Sequence, residues 1–374
     1  MILLHNMPDE VKFPKIGQKP LFFPDATRAV VKTLDSEDIK NTKTPGILVN
    51  TYHLLTNPGV SVIKKFGGIR SFMNWKGLCI SDSGGFQAMS LGGKPTDKGV
   101  LGLTPESSLR AQFTLGTNLM VVLDDFTPPT ATYIEAKETV RRTLHWAERS
   151  LKEYEKLTQN FIKARPLTQR TSPFIKPILT GVVQGGFFPD LRAECTKQLI
   201  TMGYTALGYG GWPLRQAQGK PGGEFDYQSA EIIASNAKPQ RGPLRGSDTL
   251  LYGLGIGKPH EIKALVKMGY TVFDCVLPTR DARHKRLYVF NADTINNIDT
   301  TSDTFYSYYT PDKEKYYKDT TPVSTACDCL LCTNYSKAYL GHLFRINEIA
   351  AMRLASIHNL RFYSILMEKL SEQP

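Results

Sequence analysis

The chain has 374 residues, with 46 Lys and Arg against 35 Asp and Glu, a formal charge of +11; 41% of it is hydrophobic and 22% charged. These proportions exclude wholesale disorder, and a chain of this length buries a core without disulfides. No apolar run approaches the roughly 20 residues of a membrane-spanning helix, and the opening MILLHNMPDEVKF lacks the basic stretch and small-residue cleavage site of a secretory signal. In chain order, short apolar runs recur, each ending at a polar or glycine-rich stop. They are GILVN (46–50), GLCIS (77–81), LMVVL (119–123), ILTGVV (178–183), YTALG (204–208), TLLYGLG (249–255) and YTVF (270–273). Their shortness and their Val, Ile, Leu and Tyr content predict buried parallel strands. Helical spacing fills several gaps: 135–156, with Val140, Leu144, Trp146 and Leu151, then 188–202 and 260–268. Strand followed by helix, repeated, predicts a (β/α) barrel or an open doubly wound sheet.

The residues at the strand ends favour the barrel. GLCIS runs into Asp82, LMVVL into Asp124 and Asp125, GVV into Gln184, and YTVF into Asp274. Any one acid after a strand is a common helix cap or turn residue. Several together point to one mouth, where the carboxyl ends of barrel strands converge. Two Gly- and Pro-rich stretches, near 213–224 and 236–248, predict surface insertions, and 291–325 is loosely patterned. The barrel is expected over 1–320 and a smaller subdomain with C-terminal helices over 321–374. Residues 335–370 predict a long amphipathic helical region, with Leu340, Leu343, Ile346, Ile349 and Ala350 on one face.

Of six cysteines, Cys327, Cys329 and Cys332 crowd together, a metal pattern suited to a reducing cytoplasm. Three thiols at this spacing can converge on one tetrahedral ion, and Cys₃His is a common structural zinc set. His342 and His358 are the candidates for the fourth ligand. In SDSGGFQ (81–87) the paired glycines allow a tight turn, and Phe86 offers either core packing or a platform for a flat ring. In FDCVLPTRDAR (273–283) an acid in an apolar setting precedes arginines; ion pairing and nucleophilic attack on a phosphate-bearing substrate both fit. The surplus positive charge is spread over 141–170, 214–245 and 280–286, which suits a broad phosphate footprint.

These segments, with NTYHLLTNPG (50–59), LTPE (103–106), GVVQGG (181–186), YGLGIGKPHEI (252–262), CDCLLC (327–332) and NEIAAMRLASIHNL (347–360), appear in one order along nearly the whole chain. In this the sequence resembles the tRNA-guanine transglycosylases. The resemblance implies a (β/α)₈ TIM barrel with an inserted or appended zinc-binding subdomain. It also implies exchange of the wobble guanine of tRNA for a 7-deazaguanine base in the cytoplasm, by a homodimer. Residue by residue, it makes Asp274 the nucleophile and Asp82 the proton-transfer acid and base. It places Asp124 and Gln184 on the purine edge, Phe86 and Leu254 on its faces, and Ser83 beside the ribose or the acid. Gly208, Tyr209 and Gly210 would form the base loop. Lys258, Arg280 and Arg283 would contact the anticodon loop, and Cys327, Cys329, Cys332 and His358 would hold zinc. Departures from the family pattern fall at Phe86, Phe126, Asp281 and the loop carrying Tyr209 and Trp212. Two other readings remain open: a non-catalytic tRNA-binding partner subunit, which the presence of both Asp82 and Asp274 argues against, and the same exchange on DNA.

Overall fold

The computed structural model describes residues 19–164, 176–210, 225–237 and 249–372. Eight parallel strands follow one another round a (β/α)₈ barrel: β1 Leu21–Pro24, β2 Gly46–Val49, β3 Leu78–Ser81, β4 Leu119–Val121, β5 Ile178–Val183, β6 Ala206–Tyr209, β7 Leu250–Gly253 and β8 Tyr270–Cys275. Each pairs in parallel with its sequence neighbour from β2 to β8, and β8 returns to β1, with Phe23 opposite Asp274. Between β1 and β2 the barrel closes through a bridge of Asp25 with Leu48, where the Ala26 N–H donates to the Leu48 carbonyl at 2.6 Å. All seven predicted strands form. β1 is not among them, because its apolar run LFFP stops after four residues at a proline. Proline is tolerated there, at a strand end where the ladder needs no further N–H.

The interior is packed, not open. Phe23, Leu48, Leu78, Ile80, Leu119, Val121, Val182, Ala206, Leu250, Tyr252 and Val272 fill it as one apolar cluster. A larger cluster lies between strands and outer helices. The longest of these helices, Tyr133–Ala164, buries Val140, Leu144 and Trp146, while Leu151 stays partly exposed.

After β8 the chain makes helix Leu277–Arg283 and an antiparallel pair, β9 Leu287–Phe290 with β10 Tyr306–Tyr309, just before and inside the loosely patterned stretch. The region 335–370 is not one continuous helix. Lys337–Arg345 and Ile349–Ser371 are separate, broken at Asn347, whose φ is +56°. The predicted single apolar face breaks with them: Leu340 and Leu343 are buried, whereas Ile346, Ile349 and Ala350 are exposed. Helix Ile349–Ser371 then packs against helix Leu277–Arg283, β9 and β1, so it also covers the barrel wall. The expected insertion 213–224, residues 238–248 of the second, and Trp212 lie outside the described residues; 236 and 237 end helix Tyr227–Ala237.

Candidate active site

Side chains alternate across a strand, so the interior core fixes which later residues face inward. Phe23, Ile80, Val182, Tyr252 and Val272 point into the barrel. Two positions beyond each stand Asp25, Asp82, Gln184, Leu254 and Asp274. Strand parity therefore delivers all five to the mouth formed by the carboxyl ends.

Asp274 is buried near the end of β8. Its Oδ1 accepts the Tyr252 hydroxyl at 2.7 Å and the Gly255 N–H at 2.9 Å. Both donors converge on one oxygen and leave the other for chemistry. Burial pushes Asp274 up to about 6, against the pull of those two bonds. Asp82 is held differently. The Thr51 N–H donates to Oδ1 at 2.9 Å and the Asn50 amide to Oδ2 at 2.5 Å. Asn50 also caps helix Thr51–Thr56, its Oδ1 accepting the His53 N–H at 3.0 Å, which fixes the amide with its NH₂ towards Asp82. Burial, with the charge of Asp274 adding to it, raises Asp82 to about 7.

On the β4–β5 side, the Gln184 amide donates to Asp124 at 2.7 Å and accepts the Thr127 N–H at 3.1 Å. The second bond sets the amide orientation and leaves one Gln184 N–H unassigned by these contacts. Burial raises Asp124 to about 6. Beneath it, Asp125 pairs with Arg142. Phe86, 49% exposed, meets Phe126 edge to face at 5.6 Å. It sits where Gly84, at φ +79°, passes so close to Tyr52 that a Cβ would lie 2.7 Å from the Tyr52 nitrogen. Ser83 is buried, its hydroxyl accepting the Gly85 N–H at 3.2 Å. Across the mouth, a Cβ on Gly208 would come within 2.8 Å of Leu254 Cδ1, so this glycine lets Leu254 lean over β6. Gly210 borders the same leucine. The Tyr209 side chain is not brought to the mouth: it faces outward from β6, buried, with its hydroxyl on the Asp226 carbonyl at 3.1 Å and Arg192 over its ring.

The three cations lie at or on the helices after β7 and β8. Lys258 precedes helix Pro259–Met268 and pairs with Glu261 at 2.9 Å. Arg280 is exposed and lies 3.9 Å from Asp281. Arg283 has a buried Nη1 without a partner, and burial, then the neighbouring Arg280, lowers its pKa.

Cys327, Cys329, Cys332 and His358 bring their ligand atoms within 4.8 Å of one another, all buried. His358 Nδ1 is 3.2 Å from Cys332 Sγ and 3.5 Å from Cys329 Sγ. Its Nε2 lies 2.8 Å from the Tyr288 carbonyl, the outer partner that orients a metal-binding imidazole. This donor set fits a closed tetrahedral zinc site. His342 is exposed and outside the cluster. Next to His358, Asn359 donates to the Pro278 and Arg286 carbonyls at 2.9 and 3.0 Å and accepts the Tyr288 N–H at 3.1 Å. The metal cluster is thereby pinned to the segment that follows Asp274.

Residues 10–373 match the sequence profile of the family described as Queuine tRNA-ribosyltransferase. Among similar proteins, the Queuine tRNA-ribosyltransferase of Shewanella sp. (strain W3-18-1) is 35% identical over 365 residues, 94% of this chain and 86% of that protein. That of Shewanella loihica is 34% identical over the same shares. The chain belongs to the queuine tRNA-ribosyltransferase family. In this family member, Asp82, Asp124, Gln184 and Asp274 are legible as polar residues at strand ends, but their holders are not. Tyr252 shares the inward parity of Leu254, and Asn50 and Thr51 lie in NTYHLL; those are the available signals. Asp25 goes unread because β1 itself does.

Proposed function

We propose that this chain exchanges guanine at the anticodon wobble position of tRNA for a 7-deazaguanine base by double displacement. The observation that carries the reading is the unlike support of two neighbouring carboxylates, Asp274 buried and Asp82 half-buried. Asp274 has one oxygen saturated by Tyr252 and Gly255 and one left to attack. Asp82, near neutrality in pKa, can hold or release a proton. In the first step an Asp274 oxygen bonds to the ribose anomeric carbon while the bond to guanine N9 breaks. The electron pair leaves with the purine, and Asp82 supplies the proton that neutralises it. In the second, Asp82 takes a proton from the incoming base, whose nitrogen attacks the anomeric carbon and releases Asp274. Two inversions return the original configuration, as in retaining glycosidases. One glycosidic bond replaces another, so no ATP is required.

Asp124 would accept from the purine N1–H and 2-amino group, and a Gln184 N–H would reach O6. Phe86 and Leu254 would flank the ring, and Ser83 would lie by the ribose or the acid. Gly208 and Gly210 would let a 7-substituent pass. Because Tyr209 turns outward and Phe126 offers no hydrogen bond, a base with a large 7-substituent, such as queuine, is favoured over the aminomethyl precursor. The ratio of kcat/KM for the two bases on one tRNA tests this; preference for the aminomethyl base would reverse it.

Lys258, Arg280 and Arg283 would hold anticodon-loop phosphates. Cys327, Cys329, Cys332 and His358 would hold one structural zinc ion, whose contribution is cross-linking. Exposed Ile346, just after helix Lys337–Arg345, with Ile349 and Met352 at the start of the last helix supply an apolar face for a second copy of the chain. Light scattering at micromolar protein should give a dimer; an active monomer would refute that. The protein is assigned to the cytoplasm, where tRNA is modified. Labelled-guanine exchange into tRNA tests the activity; none into tRNA but uptake into DNA would favour the DNA reading.

A further inference from the structure

We propose that Asp25 reads the sugar of the reacting nucleotide, hydrogen-bonding the ribose 2′-hydroxyl and making the exchange selective for RNA over DNA. The inference rests on the base-exchange reading and adds a residue to it. Asp25 follows β1, which pairs with β8 so that Phe23 lies opposite Asp274. Two residues at about 3.3 Å each carry Asp25 roughly 6–7 Å further towards the mouth, on the same inward parity. It stands on the side of Asp274 away from β7, whose Tyr252 and Gly255 already occupy the other flank. The purine-edge residues Asp124 and Gln184 follow β4 and β5, across the mouth from β8. An in-line attack by Asp274 sets the departing base opposite the nucleophile. The sugar then lies over β8 and the adjoining end of β1. The carbon next to the anomeric centre carries the 2′-hydroxyl, the group by which a protein tells RNA from DNA.

The support around Asp25 differs from that around the other two carboxylates. Asp82 and Asp274 each accept protein donors. Asp25 Oδ1 is buried without a hydrogen-bond partner. Buried polar atoms are nearly always paired, so an orphan at a site mouth marks a place for a substrate group. Burial first, then the charges of Asp274 and Asp82, raise the Asp25 pKa well above the ordinary carboxylate value and favour its neutral form. A carboxylic acid offers one O–H donor and one carbonyl acceptor, and a hydroxyl can answer both.

The test compares two anticodon stem-loops, all-ribose or with a single 2′-deoxyguanosine at the exchange position, by labelled-guanine exchange. The native enzyme should prefer the ribose substrate by about 100-fold in kcat/KM. Asp25→Leu, near in size and apolar, should bring the ratio close to one, by losing rate on the ribose substrate while leaving the deoxy substrate as it was. Asp25→Asn, which keeps a donor and an acceptor, should retain about 10-fold. Should the Leu variant not fold, a ratio in the Asn variant equal to native overturns the proposal. So does an unchanged ratio in Asp25→Leu, or an equal fall on both substrates, which would mark a structural or proton-holding role. No exchange by the native enzyme on the ribose stem-loop defeats the base-exchange reading itself, before any variant is made.

Discussion

The barrel mouth and the Cys₃His cluster both draw ionisable groups out of water, and they contain them in opposite ways. In the cluster, four ligands converge within 4.8 Å, and a histidine is oriented from behind by the Tyr288 carbonyl. A divalent ion neutralises such a group, and binding is coupled to folding. At the mouth, burial raises Asp25, Asp82 and Asp274, and the charge of Asp274 pushes the first two higher still. Among the described residues these three carboxylates have no cation as a partner. That arrangement is held against electrostatics for a substrate to exploit. Taking a group from the cluster should therefore weaken the protein, and taking one from the mouth should weaken the reaction while relieving the fold.

The largest effect is expected from Asp274→Asn. An amide cannot form the glycosyl ester, so guanine exchange should fall by about 10⁴-fold or more with the thermal transition intact. A variant retaining a tenth of native kcat/KM would remove Asp274 from the role. Next is Cys329→Ala. Metal analysis should show loss of zinc, and denaturant melts should show destabilisation of several kcal/mol. Activity should fall as well, because Asn359, beside the ligand His358, holds the Pro278 and Arg286 carbonyls that follow the nucleophile. His358→Ala should lose the metal, and His342→Ala should keep it.

A smaller effect concerns pH. Asp274 must be ionised to attack, and Asp82 must carry a proton for the departing base. With the pair near 6 and 7, kcat/KM should rise through pH about 6 and fall above about 7. A flat profile from pH 5 to 8 would contradict these assignments. The smallest effect is on stability at Asp25. Its folded pKa is raised, so it is neutral in both states at low pH and charged in both at high pH; the penalty of the buried charge grows as pH rises between those limits. Asp25→Leu should therefore raise Tm at pH 8 by about 1 °C, the scale of ~1 kcal/mol in a chain of this size, with little change near pH 4. A loss of stability at pH 8 would show that Asp25 is paired in solution.

Much of the fold is legible because parallel barrel strands are short, apolar and bounded by polar stops. Asp82, Gln184 and Asp274 can be read because each ends such a run. The eighth strand, β1, escapes for the same physics: four residues closed by Pro24 give too little pattern, and Asp25 vanishes with it. The last helices look joined because the apolar spacing runs on through Asn347, where the backbone turns left-handed and redirects Ile349 to solvent. Tyr209 belongs to the base loop by motif position alone. One residue of strand parity sends its ring outward, a distinction that needs the register of β6. The holders of the acids, Tyr252 and Gly255 for one and Asn50 and Thr51 for the other, are contacts between elements distant in sequence. Spacing does not encode them.

Double displacement requires a covalent bond between Asp274 and the anomeric carbon of the exchanged nucleotide. The direct measurement is mass spectrometry of peptides from enzyme mixed with an anticodon stem-loop RNA, quenched in denaturant during turnover and digested with ribonuclease and protease. A ribosyl adduct is expected on the peptide carrying Asp274, fragmenting at that residue, and absent in Asp274→Asn. An adduct on Asp82 or Asp25, or active enzyme that never carries one under conditions where exchange proceeds, would contradict it.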